Sequence, residues 1–266
     1  MSNDAVLYDV KDAVATITLN RPKALNALNM DLVEGLVSAV DNAADDPAVR
    51  CVVICSSSDH FMAGGDLMMF KDWRDQGVSV AQDHLNGVFD GVHGSVEKLM
   101  TMDKPVIASV QGAAAGFGLS LMLACDLAIA ADNAALSMAY IRIGTTPDGG
   151  GSHSLTRIVG IRKAMELAML AESVDAQAAK DLGLVNWVVP VDDLQAETAK
   201  IAARLAKSPT RALGRTKRLI NQAQDTPLVE HLKSEQDSFC ASVADEDFGE
   251  GINAFIERRK ATFTGS

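Results

Sequence analysis

The sequence predicts an α/β fold followed by an α-helical C-terminal region. Three observations carry this. Short apolar runs rich in β-branched residues alternate with segments of helical period up to about residue 190. Beyond that point only helix-like segments remain, and they carry more charge. Of the 266 residues 48% are hydrophobic, enough for one large core, so the chain divides into an α/β core over 1–192 and a helical region over 193–266.

Residues 6–8 and 14–19 alternate in polarity, which predicts a hairpin turning near Lys11 and Asp12 and ending at Asn20-Arg21-Pro22. Asn29 is suited to cap a helix over 30–43. Leu32, Val33, Leu36, Val37 and Val40 supply its apolar stripe, and Asp31 and Glu34 fit its first turn. After the break at Asp45-Asp46-Pro47, the run 51–55 (CVVIC) reads as a buried strand. Residues 61–66 (FMAGGD) then offer backbone that a ligand can approach closely. From 78 to 100, Leu85, Val88, Val92, Val96 and Leu99 mark a helix. Gly87, Gly91 and Gly94 each weaken it by about 1 kcal/mol relative to Ala, so it is expected to be loosely held.

An apolar strand over 105–110 leads into the stretch 111–126 (QGAAAGFGLSLMLACD). Its small residues admit a ligand to the backbone. A helix starting at about Phe117 would present free N–H groups suited to negative charge on an oxygen. The same glycines equally suit a tight strand-to-helix turn. Further apolar runs follow at 127–131 and 135–139, then a loop over 144–151 (GTTPDGGG). Helices are expected over 154–170 and 176–182, with a short strand over 185–189 between them and the helices of 193–262, which break at Pro209 and Pro227.

Charge narrows the partners. Against 24 Lys and Arg stand 35 Asp and Glu, a net charge of −11, which argues against nucleic acid and anionic membrane surfaces. No apolar run is long enough to span a bilayer, and the first residues lack the pattern of a signal peptide. Cys51, Cys55, Cys125 and Cys240 form no metal pattern, and a reduced, cytoplasmic setting is expected. His60, His84, His153 and His231 likewise show no metal-site spacing.

The order of these pieces resembles the crotonase superfamily, the enoyl-CoA hydratase/isomerase family. The resemblance runs through 21–28 (RPKALNAL), 61–66, 104–126, 183–186 (GLVN) and 255–260 (FIERRK). It implies a crotonase-like fold of repeated ββα units, with homotrimers or paired trimers built through the C-terminal helices. It also implies an acyl-CoA thioester as substrate, with coenzyme A entering only as part of that substrate. By motif position the two backbone N–H groups that hold the thioester oxygen are those of Gly65 and Phe117. Two donors already in place need no reorganisation when charge develops there. Many relatives carry glycine where Phe117 stands, so its ring is expected to narrow the acyl pocket. The resemblance further assigns Lys23, Ala24, Leu25, Ala63 and Asp66 to the nucleotide and pantetheine, with Lys260 contributing from the tail.

The sequence departs from the family's hydratases at the two glutamates that add water, which are Ser120 and Tyr140 here. Neither hydroxyl is an efficient base at neutral pH. Asp148 supplies another carboxylate, in a Pro-Asp-Gly-Gly turn that could aim it inward or simply use it to satisfy the turn. Isomerases and one dehalogenase type of the family place a carboxylate there. His93 is spaced before Lys104-Pro105 as in the 4-chlorobenzoyl-CoA dehalogenases, although Tyr140 replaces the tryptophan of that type. The leading expectation is therefore an isomerase-like proton shuttle on Asp148. The alternatives are a dehalogenase-like enzyme with Asp148 as nucleophile and His93 as base, and a catalytically silent acyl-CoA binder. A serine hydrolase centred on Ser120 ranks last, because no histidine partner is assigned to it.

Overall fold

In the computed structural model, which describes residues 4–266, the expected hairpin opens the chain as β1 (Val6–Lys11) and β2 (Val14–Leu19). Its turn residues Asp12 and Ala13 both take positive φ, 51° and 62°, the twist that two-residue hairpin loops require. A 3-10 turn, Pro22–Ala24, precedes α1 (Met30–Asp45), where the Asn29 side chain accepts from the Leu32 N–H at 3.1 Å. β3 (Cys51–Ser56) follows. Next comes α2 (Leu67–Gln76), which the sequence reading passed over, capped by Asp66 through the Met68 and Met69 amides.

α3 (Val78–Thr101) is less loose than its glycines suggested. Val88, Val92, Val96 and Leu99 are buried, and a methyl group on Gly91 would stand 2.9 Å from the Val33 side chain. Gly91 is thus what lets α3 lie close against α1, whereas Gly87 and Gly94 face open space. β4 (Val106–Val110) leads to β5 (Ala113–Ala115), a strand within the alanine run that had read as part of a turn. α4 (Phe117–Leu123), β6 (Leu127–Ala131) and β7 (Ala135–Ser137) come next, then the 3-10 segment Ala139–Ile143. α5 (Gly151–Leu170) is broken at Gly160, whose φ of 76° and ψ of 162° no helix admits. β8 (Val174–Asp175), α6 (Ala176–Asp181) and β9 (Trp187–Val189) complete the core. α7 (Leu194–Ala206), α8 (Thr210–Gln222), α9 (Leu228–Ser242) and α10 (Glu246–Ile256) make up the rest, with Pro209 and Pro227 preceding α8 and α9 as expected.

The main sheet has the order β1-β2-β3-β4-β6-β9 and is parallel except for the first hairpin. A smaller sheet, β5-β7-β8, lies beside it. Strand alternation sorts the main sheet's side chains. Ile17, Leu19, Val52, Ile54, Val106 and Ala108 face the α1 and α3 side, while Cys51, Val53, Ile107 and Ile129 face Leu194, Ala202 and Ala206 of α7. The C-terminal helices are anchored to this core by buried Lys217 of α8, which pairs with Asp126 at 2.8 Å and donates to the Leu99 carbonyl at 2.6 Å. Among the described residues, no helix is long and apolar enough to cross a membrane.

Candidate active site

The loops that leave the C-terminal ends of β3 and β4 lie side by side, and a buried polar knot holds them there. Asn26 is wholly buried. Its Nδ2 donates to Ser56 Oγ at 2.7 Å and to the Phe61 carbonyl at 2.9 Å, and its Oδ1 accepts from the Arg21 N–H at 2.7 Å. Leu25 and Asn26 take positive φ to bring this about. His60 adds a second tie, its Nδ1 accepting from the Ala113 N–H at 3.0 Å. Sequence reasoning missed both residues. An asparagine inside an apolar motif was the available signal, since a buried amide needs partners.

Between the loops, Met62 pairs with Ala114 as in a parallel sheet. Gly64 stands beside Gly116, whose Cα would lie 3.7 Å from a Cβ on Gly64. The glycines are needed for this approach. A Cβ on Gly64 would lie 3.1 Å from the Ala115 carbonyl oxygen, and one on Gly118 only 2.3 Å from that of Met62. Gly64 and Gly116 also have positive φ, 97° and 54°. The neighbouring amides are used: Ala63 N–H donates to the Leu25 carbonyl, Asp66 N–H to that of Leu28, and Gly116 N–H to that of Ser137. The N–H groups of Gly65 and Phe117 have no protein acceptor among the described residues. The reading of these glycines as relief of crowding at a strand-to-helix turn is thus met by the structure. The glycines let the two loops approach, and the Gly65 and Phe117 N–H groups lie on those loops.

Asp148 sits half-buried on the turn before α5, next to the same place. Gly149, which follows it, packs against the Phe117 ring, where a Cβ would meet ring carbons at 2.7 Å. The Phe117 ring is only 2% exposed and lies beneath this turn, so it supports the carboxylate rather than projecting into open space. Tyr140 Oη donates to Asp148 Oδ1 at 2.5 Å and stands 2.9 Å from Ser120 Oγ. The two positions where hydratases of the resembled family carry acids thus hold hydroxyls linked in a chain to Asp148. Burial pushes the Asp148 carboxyl above its ordinary range, opposed by the Tyr140 hydrogen bond and, when its ring is protonated, by His93. Burial and the Asp148 charge also push the Tyr140 phenol up, so it stays protonated at neutral pH.

His93 joins this group. It stacks on Phe89 with ring centroids 5.4 Å apart, and its Nε2 accepts from the Gly149 N–H at 3.4 Å. The other anticipated residues divide. Lys23, Ala24 and Leu25 line the surface turn beside the two loops, with Lys23 and Leu25 exposed. Asp66 is already engaged, pairing with Arg21 at 3.2 Å while capping α2. Lys260 is not brought here. Its tail continues to Phe263, whose carbonyl accepts from Arg50 just before β3, at the opposite end of that strand. Among the described residues, no cluster of three His, Cys, Asp or Glu could hold a metal ion.

Known proteins share this arrangement of elements. The family model that matches, over residues 9–266, is that of enoyl-CoA hydratase/isomerase. A crotonyl-CoA hydratase of Syntrophomonas wolfei is 36% identical over 99% of both chains. A 1,2-epoxyphenylacetyl-CoA isomerase of Escherichia coli is also 36% identical, over 98% of both. The crystal structure of an enoyl-CoA hydratase from Polaromonas superposes with a TM-score of 0.91 at 36% identity, covering 97% of this chain and 99% of that one. A crotonase-like α/β fold whose sequence matches the family model almost from end to end leaves one assignment: the chain belongs to the enoyl-CoA hydratase/isomerase family.

Proposed function

We propose that this protein acts on acyl-CoA thioesters as an isomerase-type proton shuttle. The amides of Gly65 and Phe117 take the thioester oxygen, and Asp148 moves the proton. The observation that supports this reading best is the hydrogen-bonded chain from Ser120 through Tyr140 to Asp148, which ties both hydroxyls to a carboxylate. In an unsaturated acyl-CoA, Asp148 removes a proton next to the thioester carbonyl, and the electron pair moves onto the carbonyl oxygen as an enolate. The two amides stabilise that oxygen. The same carboxyl then returns the proton to a carbon further along the chain, on the same face. Its raised affinity for protons suits both halves of the task. The 1,2-epoxyphenylacetyl-CoA isomerase among the relatives is consistent with an isomerising, non-hydrating role.

Lys23 and the backbone of 24–25 and 63 fit the nucleotide and pantetheine, since they border the paired loops that present the amides. Lys260 can reach such a site only from another subunit. Ile220, Leu228, Val229, Phe239, Phe255 and Ile256 are large apolar residues left exposed on α8, α9 and α10, which supports assembly as a trimer or paired trimers through the 193–266 region.

The test is deuterium exchange. Asp148→Asn is expected to abolish solvent-deuterium incorporation into an enoyl-CoA while leaving CoA-ester affinity within about threefold, a split between transition-state and ground-state effects. Full exchange by that variant would reject the reading. A second reading is favoured by the proximity of His93 to the Asp148 turn: attack by Asp148 on the halogen-bearing carbon of a haloaroyl- or haloacyl-CoA, expelling halide and leaving an aspartyl ester, which water then hydrolyses with His93 as base. Single turnover in 18O-water would then place label in Asp148, and an unlabelled carboxylate excludes it.

A further inference from the structure

Two buried hydroxyls are left without a part in the chemistry. Ser120 is 1% exposed and Tyr140 8%, and they come from different elements, α4 and the 3-10 segment Ala139–Ile143. Hydroxyls are costly to bury unless bonded, and these bond in a chain. Tyr140 Oη lies 2.5 Å from Asp148 Oδ1 and 2.9 Å from Ser120 Oγ. The direction of the chain follows from its end. An ionised carboxylate only accepts, so the single phenolic proton goes to Asp148, and Ser120 must donate to Tyr140. Asp148 Oδ2 takes no hydrogen bond among the described residues and is not among the sealed, unpartnered atoms.

We propose that Tyr140, anchored by Ser120, is the positioning residue of Asp148: it pins one carboxylate oxygen and leaves the other to meet the acyl carbons. The inference rests on reading Asp148 as the acid/base. A shuttling carboxyl must hold one orientation toward two carbons, and a misplacement of about 1 Å at such a group costs about 100-fold in rate. The phenol also donates to the ionised form, offsetting part of what burial does to it. Two titratable groups act on this carboxyl, Tyr140 and, from α3, His93.

The experiment compares Tyr140→Phe and Ser120→Ala with the unaltered full-length protein. Tyr140→Phe removes one oxygen from a packed ring. It is expected to lower kcat about 10- to 100-fold with KM within about threefold. It should also move the acid limb of the kcat profile to higher pH. In the ligand-free protein, the carboxyl titration of Asp148, followed by NMR with 13C-aspartate labelling, should move the same way, and do so again in a His93→Asn background. Ser120→Ala keeps the Tyr140 bond but frees its anchor, so it should shift both readouts in the same direction by less. An unmoved carboxyl titration in folded Tyr140→Phe, or an unreduced kcat, overturns the proposal. The Asp148→Asn exchange experiment separately decides the acid/base reading on which it rests.

Discussion

At the scale of single residues, the site concentrates features that cost stability. Burial raises the Asp148 carboxyl above its unfolded value. Such a group binds its proton more tightly folded than unfolded. Stability therefore falls as pH rises from the unfolded pKa through the folded one, and the loss persists above it. Asp148→Asn should accordingly melt at a higher temperature than the parent at pH 7, with the gap closing in acid, while proton exchange is lost. Differential scanning calorimetry across pH checks this. Gly118 is constrained sterically, since any side chain meets the Met62 carbonyl oxygen. Gly118→Ala should destabilise by about 3 kcal/mol, measurable by urea denaturation. Much of this was legible in sequence. The small residues of 111–126 announce close backbone, and the Pro-Asp-Gly-Gly run announces the turn that carries Asp148. The Tyr140–Asp148 bond and the Asn26 knot were not legible, because each depends on where separate loops meet in space.

At the scale of elements, local signals served where local chemistry sets the boundary. Asn29 caps α1 as read, and Pro209 and Pro227 separate the last helices. α2 escaped notice because none of its residues is buried, so no apolar stripe marks it, and its start signal, Asp66, had been read as a ligand contact. α5 was read through Gly160 because a lone glycine does not by itself stop a helical pattern. Charged pairs fix how the C-terminal helices dock. Lys217→Met would leave Asp126 without its cation and should cost about 3–5 kcal/mol in urea unfolding. Asp245 accepts from Arg215 and Arg211 of α8, and the Arg215 bond chiefly holds its carboxyl below the usual range. A depressed folded pKa gives a contribution that is complete above the unfolded value and lost as pH falls through the folded one. Asp245→Asn should therefore destabilise at pH 7 by about 1–3 kcal/mol, and by progressively less in acid.

For the molecule as a whole, the division of labour follows from where apolar surface lies. The sheet and its flanking helices form two cores that position the paired loops. α9 buries none of its own residues, and Phe255 is 86% exposed. If the trimer proposed here forms through these helices, Phe255→Glu should shift sedimentation toward the monomer while leaving circular dichroism unchanged.

The close approach of α1 and α3 at Gly91 reaches further than packing. His93 lies two residues along the same helix, and its imidazole meets the Asp148 turn through the Gly149 N–H. A single added methyl at position 91 would press on Val33 and carry that ring away from the Asp148 turn. The spacing between two helices thus sets the reach of a side chain whose own rotamer need not change, and the enzyme's sensitivity to such a change would begin far from any atom of its substrate.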